Sequence, residues 1–220
     1  MELYEALYTT RAMRRVKKDP IPKDVQERIL DAAVRAPSGG DIQGWRFLLL
    51  DSPEVMAQLG PLYRDGINTV FSSMYKQRLE EAEANPKAQE NVHFQKFYRS
   101  VMWLAEHFED YPLMLFAFCS KTGDTTGASI FPAVWSAMLA ARAEGVGTAL
   151  TCVLLLHEEK MMEILGVPAD EGWQFGCTVT MGYPTGRWDV APRRAAHEVA
   201  YRNRWGEAVG FETPEALWPK

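Results

Sequence analysis

Apolar residues along the chain fall into two kinds of run. Trp45–Leu50, Leu113–Cys119 and Thr148–Leu155 are short and dominated by aliphatic, aromatic and β-branched residues, the pattern of strands, with Leu113–Cys119 a central one buried on both faces and Thr148–Leu155 another buried one, and Phe175–Pro184 reads as a further strand closed by a turn. Elsewhere the apolar positions follow a helical period. Val25, Ile29, Leu30, Ala33 and Ala36 give a core stripe to a helix from Pro22 to about Arg35, with Pro22 as its first residue, where a missing N–H costs nothing. Ser52-Pro53-Glu54 is a cap-then-proline start for a helix to about Leu62, and Met1–Thr10 and His157–Leu165 read as short helices. Ile130–Ala141 is apolar almost all round, so it must be covered on every side, in part by a second subunit, with Val134 the candidate for its subunit-facing part.

Between Tyr63 and about Asp110 the pattern breaks down into Met, Tyr, Phe and Trp mixed with dense charge, which reads as an insertion of irregular helices. Tyr75, Phe94, Phe97, Tyr98 and Trp103 either wall a pocket there or are plain core. Gly123–Gly127 is a polar loop, and Trp205–Lys220 a polar-aromatic tail that suits the surface of a neighbouring subunit. With no repeat and no clean linker, the expectation is one domain over residues 1–220 with a variable lid at about 63–110.

The net charge of −5 over 220 residues argues against a general nucleic-acid binder, so any anion site must be local. Arg11, Arg14, Arg15, Lys17 and Lys18 place five cations in eight residues. If the first helix continues through them, Arg11, Arg14, Arg15 and Lys18 share one face, which either holds an anion or is simply solvated. Cys119, Cys152 and Cys177 are far apart in apolar runs and the histidines are scattered, so no metal is expected. No run approaches the ~20 apolar residues of a membrane helix, and the first residues carry neither a basic leader nor an apolar one, so the expected location is the cytoplasm, away from membranes.

Candidate chemistry concentrates in Ala36–Trp45, between a helix and a strand. Gly39 and Gly40 let the backbone approach a flat ligand, and Ser38, Asp41 and Gln43 offer hydrogen-bonding side chains; the alternative is an ordinary helix-to-strand turn. A basic cluster near the start, a second at Arg193-Arg194 and this loop together suggest a phosphorylated, flat cofactor, a description that flavin mononucleotide (FMN) fits.

Arg11-Ala12-Met13-Arg14, the Ala-Pro-Ser-Gly-Gly-Asp-Ile-Gln-Gly-Trp loop, Ala140–Thr148, Gly182-Tyr183-Pro184 and Arg193-Arg194 resemble the nitroreductase family in order and spacing, over nearly the whole chain except residues 63–110. The resemblance implies an α+β fold, a central mixed β-sheet flanked by helices, in an intertwined homodimer with one FMN in each of two interfacial clefts. By position it sets Arg11 at the flavin phosphate and ribityl chain, Ala12 and Met13 beside the phosphate region, and Arg14 at the N1–C2=O edge. Pro37, Ser38, Gly39, Gly40, Asp41 and Gln43 match the loop that reaches the flavin from the second subunit. Leu150, Thr151 and Cys152 match the strand end whose backbone faces N5, and Arg193 or Arg194 the C-terminal phosphate cation. Arg14, Thr151 and Cys152 are thereby the candidate catalytic residues. Physics supports Arg14 independently, because a guanidinium there stabilises the negative charge that develops on reduction.

The implied activity is transfer of a hydride from NADH or NADPH to flavin N5, followed by ping-pong reduction of a nitroaromatic or quinone-like acceptor. Alternatives are a specialised member, of reductive-dehalogenase or flavin-destroying type, or an FMN-sequestering protein without turnover. A dehalogenase would need an acid, a phenol and a cation over the flavin, for which Glu80 or Glu81, Tyr75 and Lys76 lie in the right region. Many members have Ser at Ala12, Asn at Asp41, Pro at Gly44 and Asn at Ser136. Loss of the Ser hydroxyl removes a hydrogen bond worth ~1 kcal/mol. Asp41 matters more, since an unpaired carboxylate repels an electron-rich flavin.

Overall fold

A computed structural model describes residues 1–121, 127–213 and 218, so the polar loop expected at 123–127 lies, apart from Gly127, outside the described residues, as does most of the final stretch of the tail. The chain divides into two compact units, Ala12–Gly186 and a smaller one formed by Met1–Arg11 with Arg187–Lys220.

The larger unit is built on a four-stranded sheet of β1 (Trp45–Leu50), β2 (Leu113–Ser120), β3 (Gly147–Thr151) and β4 (Trp173–Gly182), in the order β1-β2-β4-β3. Alternation along β2 sends Leu113, Leu115, Ala117 and Cys119 to one face, with Cys177, Val179 and Met181 of β4, against α2 (Lys23–Ala33) and α6 (Ile130–Ala143). Met114, Phe116 and Phe118 face the other way with Phe175, against α3 (Pro53–Ser72) and α5 (Gln89–Glu106). Helices cover both faces, which is why β2 reads as an unbroken apolar run. Burial of each such Leu or Phe contributes roughly 1.5–3 kcal/mol. α4 (Lys76–Ala84) and α7 (Glu158–Leu165) complete the larger unit.

The class is α+β as expected, with one difference in the sheet. Neighbouring strands all pair antiparallel, and the parallel component of the expected mixed sheet is limited, among the described residues, to the bridge of Ala12 with Thr148. Other expectations are corrected by longer-range packing. Arg11–Lys18 is extended, not helical, because its backbone groups pair with Thr148, Tyr183 and Arg15–Thr185 partners instead of one another: Met13 N–H donates to Thr148 O (2.8 Å) and Lys17 N–H to Tyr183 O (2.8 Å). Its cations therefore do not share a face. Lys18 pairs with Asp110 (2.7 Å), and Arg15 lies over the Trp103 ring at 4.8 Å.

α3 continues ten residues past Leu62, carried by the buried stripe Met56, Leu59, Tyr63, Ile67 and Phe71. The expected irregular insertion is thus regular helix with a full share of the core, Phe71 and Phe108 being buried and Tyr75, Phe94 and Tyr98 packed beside them. β3 stops at Thr151 and Val153–His157 forms a 3₁₀ turn, with Val153 N–H donating to the Thr151 hydroxyl (3.4 Å). On α6, Val134 is fully buried within its own chain, whereas Phe131 and Trp135, one turn apart, are 41% and 40% exposed. The all-round burial expected of this helix is therefore not met by one chain, and the open face is that of Phe131 and Trp135.

In the smaller unit α1 (Leu3–Thr9) is capped by Glu2, the Tyr8 and Trp218 rings lie 5.9 Å apart, and α8 (Ala196–Val199) precedes a turn bridged by Tyr201 and Ala208. Trp205 at that turn is 91% exposed.

Candidate functional site

Ala12–Arg14 runs along the outer edge of β3, fixed by the Thr148 bridge. Two glycines make this close passage possible: a Cβ on Gly147 would lie 2.8 Å from Met13 Cβ, and one on Gly182 would lie 2.6 Å from Val16 Cγ2. The glycines of two family-like blocks thus serve backbone approach. Met13 is buried here, while Ala12 is exposed.

Arg14 follows, half-buried, and no ion pair joins it to a carboxylate among the described residues. Its Nη1 donates to the Ser100 hydroxyl (3.4 Å) and its Cζ sits 6.0 Å from the Phe97 ring centroid. Burial lowers the guanidinium pKa, and the nearby phenols of Tyr63 and Tyr111 partly counter that. It remains a cation at any working pH. A half-buried cation with no acid beside it has lost hydration without compensation, an arrangement that favours an incoming anion.

Behind Arg14 lies a group of hydroxyls on the α3 side of the sheet. Tyr63 O–H donates to Thr151 Oγ1 (3.2 Å), Tyr111 O–H donates to the Arg14 carbonyl (2.5 Å), and Thr180 Oγ1 donates to Ala149 O (3.4 Å). Thr178, directly across from Thr151 in the β3–β4 register, is fully buried with no partner for its hydroxyl among the described residues. The structure therefore joins Arg14 and Thr151, expected from sequence, to Tyr63, Tyr111 and Ser100, which sequence reasoning missed. Tyr63 had a signal, as the one polar-tipped residue in the apolar stripe of α3; Tyr111 had none beyond preceding a strand.

Leu150 is 38% exposed and Thr151 and Cys152 half-buried at the strand end. Burial raises the Cys152 thiol pKa, so what this residue offers at neutral pH is its backbone and an uncharged thiol.

The Pro37–Gly44 loop stands elsewhere. It precedes β1, and β1 and β3 are the two edges of the sheet, three strand spacings or about 14 Å apart. Its conformation is strained: Gly40, Asp41 and Gln43 all have positive φ (59°, 54° and 50°). Local bonds hold it, Gln43 N–H to Ser38 Oγ (2.8 Å), Gln43 Nε2 to Asp41 Oδ1 (2.8 Å) and Gly39 N–H to Ser129 Oγ (3.4 Å). Pro37, Gly39, Gly40, Asp41 and Gln43 are exposed. No bond links this loop to Arg14 or Thr151 within the larger unit among the described residues.

Arg11, Arg193 and Arg194 belong to the smaller unit and are exposed; Arg193 Nη1 donates to Pro192 O (2.9 Å). The residues considered for a dehalogenase lid lie on and just before α4. Lys76 and Glu80 are exposed, Glu81 accepts from Gln77 (3.0 Å), and Tyr75 packs in the cluster of Phe71, Phe94 and Phe97. Among the described residues no group of His, Cys, Asp and Glu is placed to hold a metal, and no helix is long and apolar enough to cross a membrane.

Comparison with known proteins gives the class to which this α+β fold belongs. Residues 7–183 match the Nitroreductase family, and the chain belongs to it. It is 28% identical over 188 residues to a 5,6-dimethylbenzimidazole synthase of Rhodospirillum rubrum, covering 79% of this chain and 78% of that one. It is 26% identical over 208 residues to a putative NADH dehydrogenase/NAD(P)H nitroreductase of Archaeoglobus fulgidus, covering 93% and 99%. Among solved structures, an oxidised iodotyrosine deiodinase bound to FMN and 3-iodo-L-tyrosine shares the fold with a TM-score of 0.72 at 21% identity, over 92% of this chain and 99% of that one.

Proposed function

We propose that this protein is an FMN-dependent oxidoreductase. The observation that carries the reading is Arg14, a half-buried cation without a carboxylate, beside a strand end of a family whose solved members include FMN-bound nitroreductases. FMN, when bound, supplies two-electron chemistry, taking a hydride from NADH or NADPH and passing the electrons to a flat, nitroaromatic or quinone-like acceptor in a ping-pong cycle. The chain's own residues do the rest. Arg14 supplies positive charge where negative charge develops, at a site already stripped of part of its water, so its stabilisation is larger than a surface arginine's. Leu150, Thr151 and Cys152 present strand-end backbone groups. Arg11 and Arg193 or Arg194, on the resemblance, neutralise the phosphate, with Ala12 and Met13 beside it.

A homodimer is part of this reading. Pro37–Gln43 sits on the opposite sheet edge from Arg14, so a second copy must bring that loop to the flavin, and the exposed Phe131–Trp135 face of α6 is the apolar surface available for it.

Two measurements test the proposal. The purified protein is expected to be yellow, or to gain a flavin spectrum on incubation with FMN, and to oxidise NADH or NADPH with a quinone present; a preparation that stays colourless with FMN rejects it. Relatives named for specialised reactions, matched over most of the chain, favour a second reading in which this is a specialised member. Holding the reduced protein in air tests the flavin-destroying type of that reading, which loses its flavin absorbance where an ordinary oxidoreductase regains it.

A further inference from the structure

Tyr63 and Tyr111 come from α3 and from the residue two before β2, yet their hydroxyls converge on the same short stretch of edge. Both rings are buried, at 1% and 4% exposure. Phenylalanine would fill the same volumes, and a buried hydroxyl costs free energy unless its bond returns it, so the atoms the two hydroxyls meet deserve explanation. Tyr111 donates to the carbonyl of Arg14 (2.5 Å), one residue past Met13, whose N–H is the last of this segment's bonds to β3. Tyr63 donates to Oγ1 of Thr151 (3.2 Å), the last residue of β3, while its ring stacks on Phe108 with centroids 4.2 Å apart. The β3–β4 ladder ends at the pair Thr151–Thr178, and among the described residues the Arg14 side chain has only Ser100 and Phe97 beside it and the Thr151 hydroxyl only a further long contact from Val153 N–H (3.4 Å).

We propose that Tyr63 and Tyr111 are positioning residues of the site, two buried phenols that fix the cation of Arg14 and the strand end at Thr151 relative to each other from behind. This rests on the flavin reading above. Burial raises both phenols' pKa values, so each remains an O–H donor throughout the range in which the protein works. Neither touches the reacting atoms. Their effect is to spare the site the cost of ordering Arg14 when charge appears, the way preorganised groups act in general.

The test uses the FMN-loaded protein and equilibrates it with redox dyes, alongside FMN dissociation constants. Tyr111→Phe and Tyr63→Phe are each expected to keep FMN affinity for the oxidised form within about threefold, yet weaken binding of the reduced form about tenfold, a fall of ~30 mV in the two-electron potential. In an Arg14→Ala background Tyr111→Phe is expected to add nothing, since it acts through Arg14; a merely structural role would lower stability in both backgrounds and leave the potential alone. Thr151→Val, which removes the acceptor, should reproduce Tyr63→Phe, so the inference can be judged even where a phenylalanine variant fails to fold. A lowered potential in Arg14→Ala with wild-type potentials in all the other variants overturns this inference and leaves the flavin reading standing. A wild-type protein that binds no FMN overturns the reading itself.

Discussion

At the β3 edge the chain is tied from several directions, by the Thr148 bridge to Ala12, by Tyr111 on Arg14 and by Tyr63 on Thr151, and a half-buried cation is the result. At the β1 edge Asp41 and Gln43 hold positive φ with exposed side chains, and among the described residues bonds within a few residues and one from Gly39 to Ser129 support the loop. One edge carries charge without an anion, and the other carries strain without an evident local reward. Strain of this kind, ~1 kcal/mol or more per residue, persists where a bound state repays it. Because the two edges belong to opposite sides of one sheet, the simplest arrangement that uses both brings together two copies of the chain.

The largest effect expected is on α6, which separates the fold from its assembly. Val134→Arg buries an unpaired charge at a fully enclosed position and should cost several kcal/mol, abolishing folding. Trp135→Arg changes an exposed side chain and should leave a folded monomer that has lost flavin. Circular dichroism with analytical ultracentrifugation read at protein and flavin wavelengths distinguishes these outcomes; a folded Trp135→Arg monomer carrying a full complement of FMN would show that one copy suffices.

Next in size is the contrast between arginines. Arg14→Ala should slow flavin reduction by NAD(P)H at least tenfold, ~1.4 kcal/mol in barrier, while changing FMN affinity little. Arg11→Ala should weaken FMN retention and hardly alter the rate, since a phosphate charge is present in both redox states. Stopped-flow reduction and dissociation constants check the pair, and equal effects of both variants on both quantities would refute the division.

Smaller still is the loop. Asp41→Asn keeps a residue tolerant of positive φ and removes the carboxylate, so stability should stay within about 0.5 kcal/mol while the reduced form binds a few-fold tighter. Thermal melts and the same dye equilibration decide this.

Legibility in the sequence followed the range of the interactions. β2 is plain because burial on both faces leaves an apolar run that needs no partner to be recognised, and β1, an edge strand with Arg46 exposed and Phe47–Leu49 half-buried, is legible from its apolar run alone. Arg11–Lys18 misled because its charges happen to fall at helical spacing, while the backbone partners that extend it, Thr148, Tyr183 and Thr185, are more than a hundred residues away. β3 is shorter than its apolar run because the Thr151 hydroxyl accepts from Tyr63 and from Val153 N–H, which nothing local signals. The family-like blocks identified the stretch around Arg14 and Thr151, but the phenols behind them lie in and beside the region with no such block.

Thr178 gives the sheet one more property, its reserve of thermal tolerance. Its hydroxyl is sealed in with no partner among the described residues, so the native state carries a desolvation cost that a methyl group of the same shape would not. Thr178→Val should therefore raise stability by about 1 kcal/mol, or 2–4 °C in Tm for a domain of this size, measured by calorimetry. The protein stands below the melting point that its own backbone allows, and the shortfall sits one strand away from Thr151.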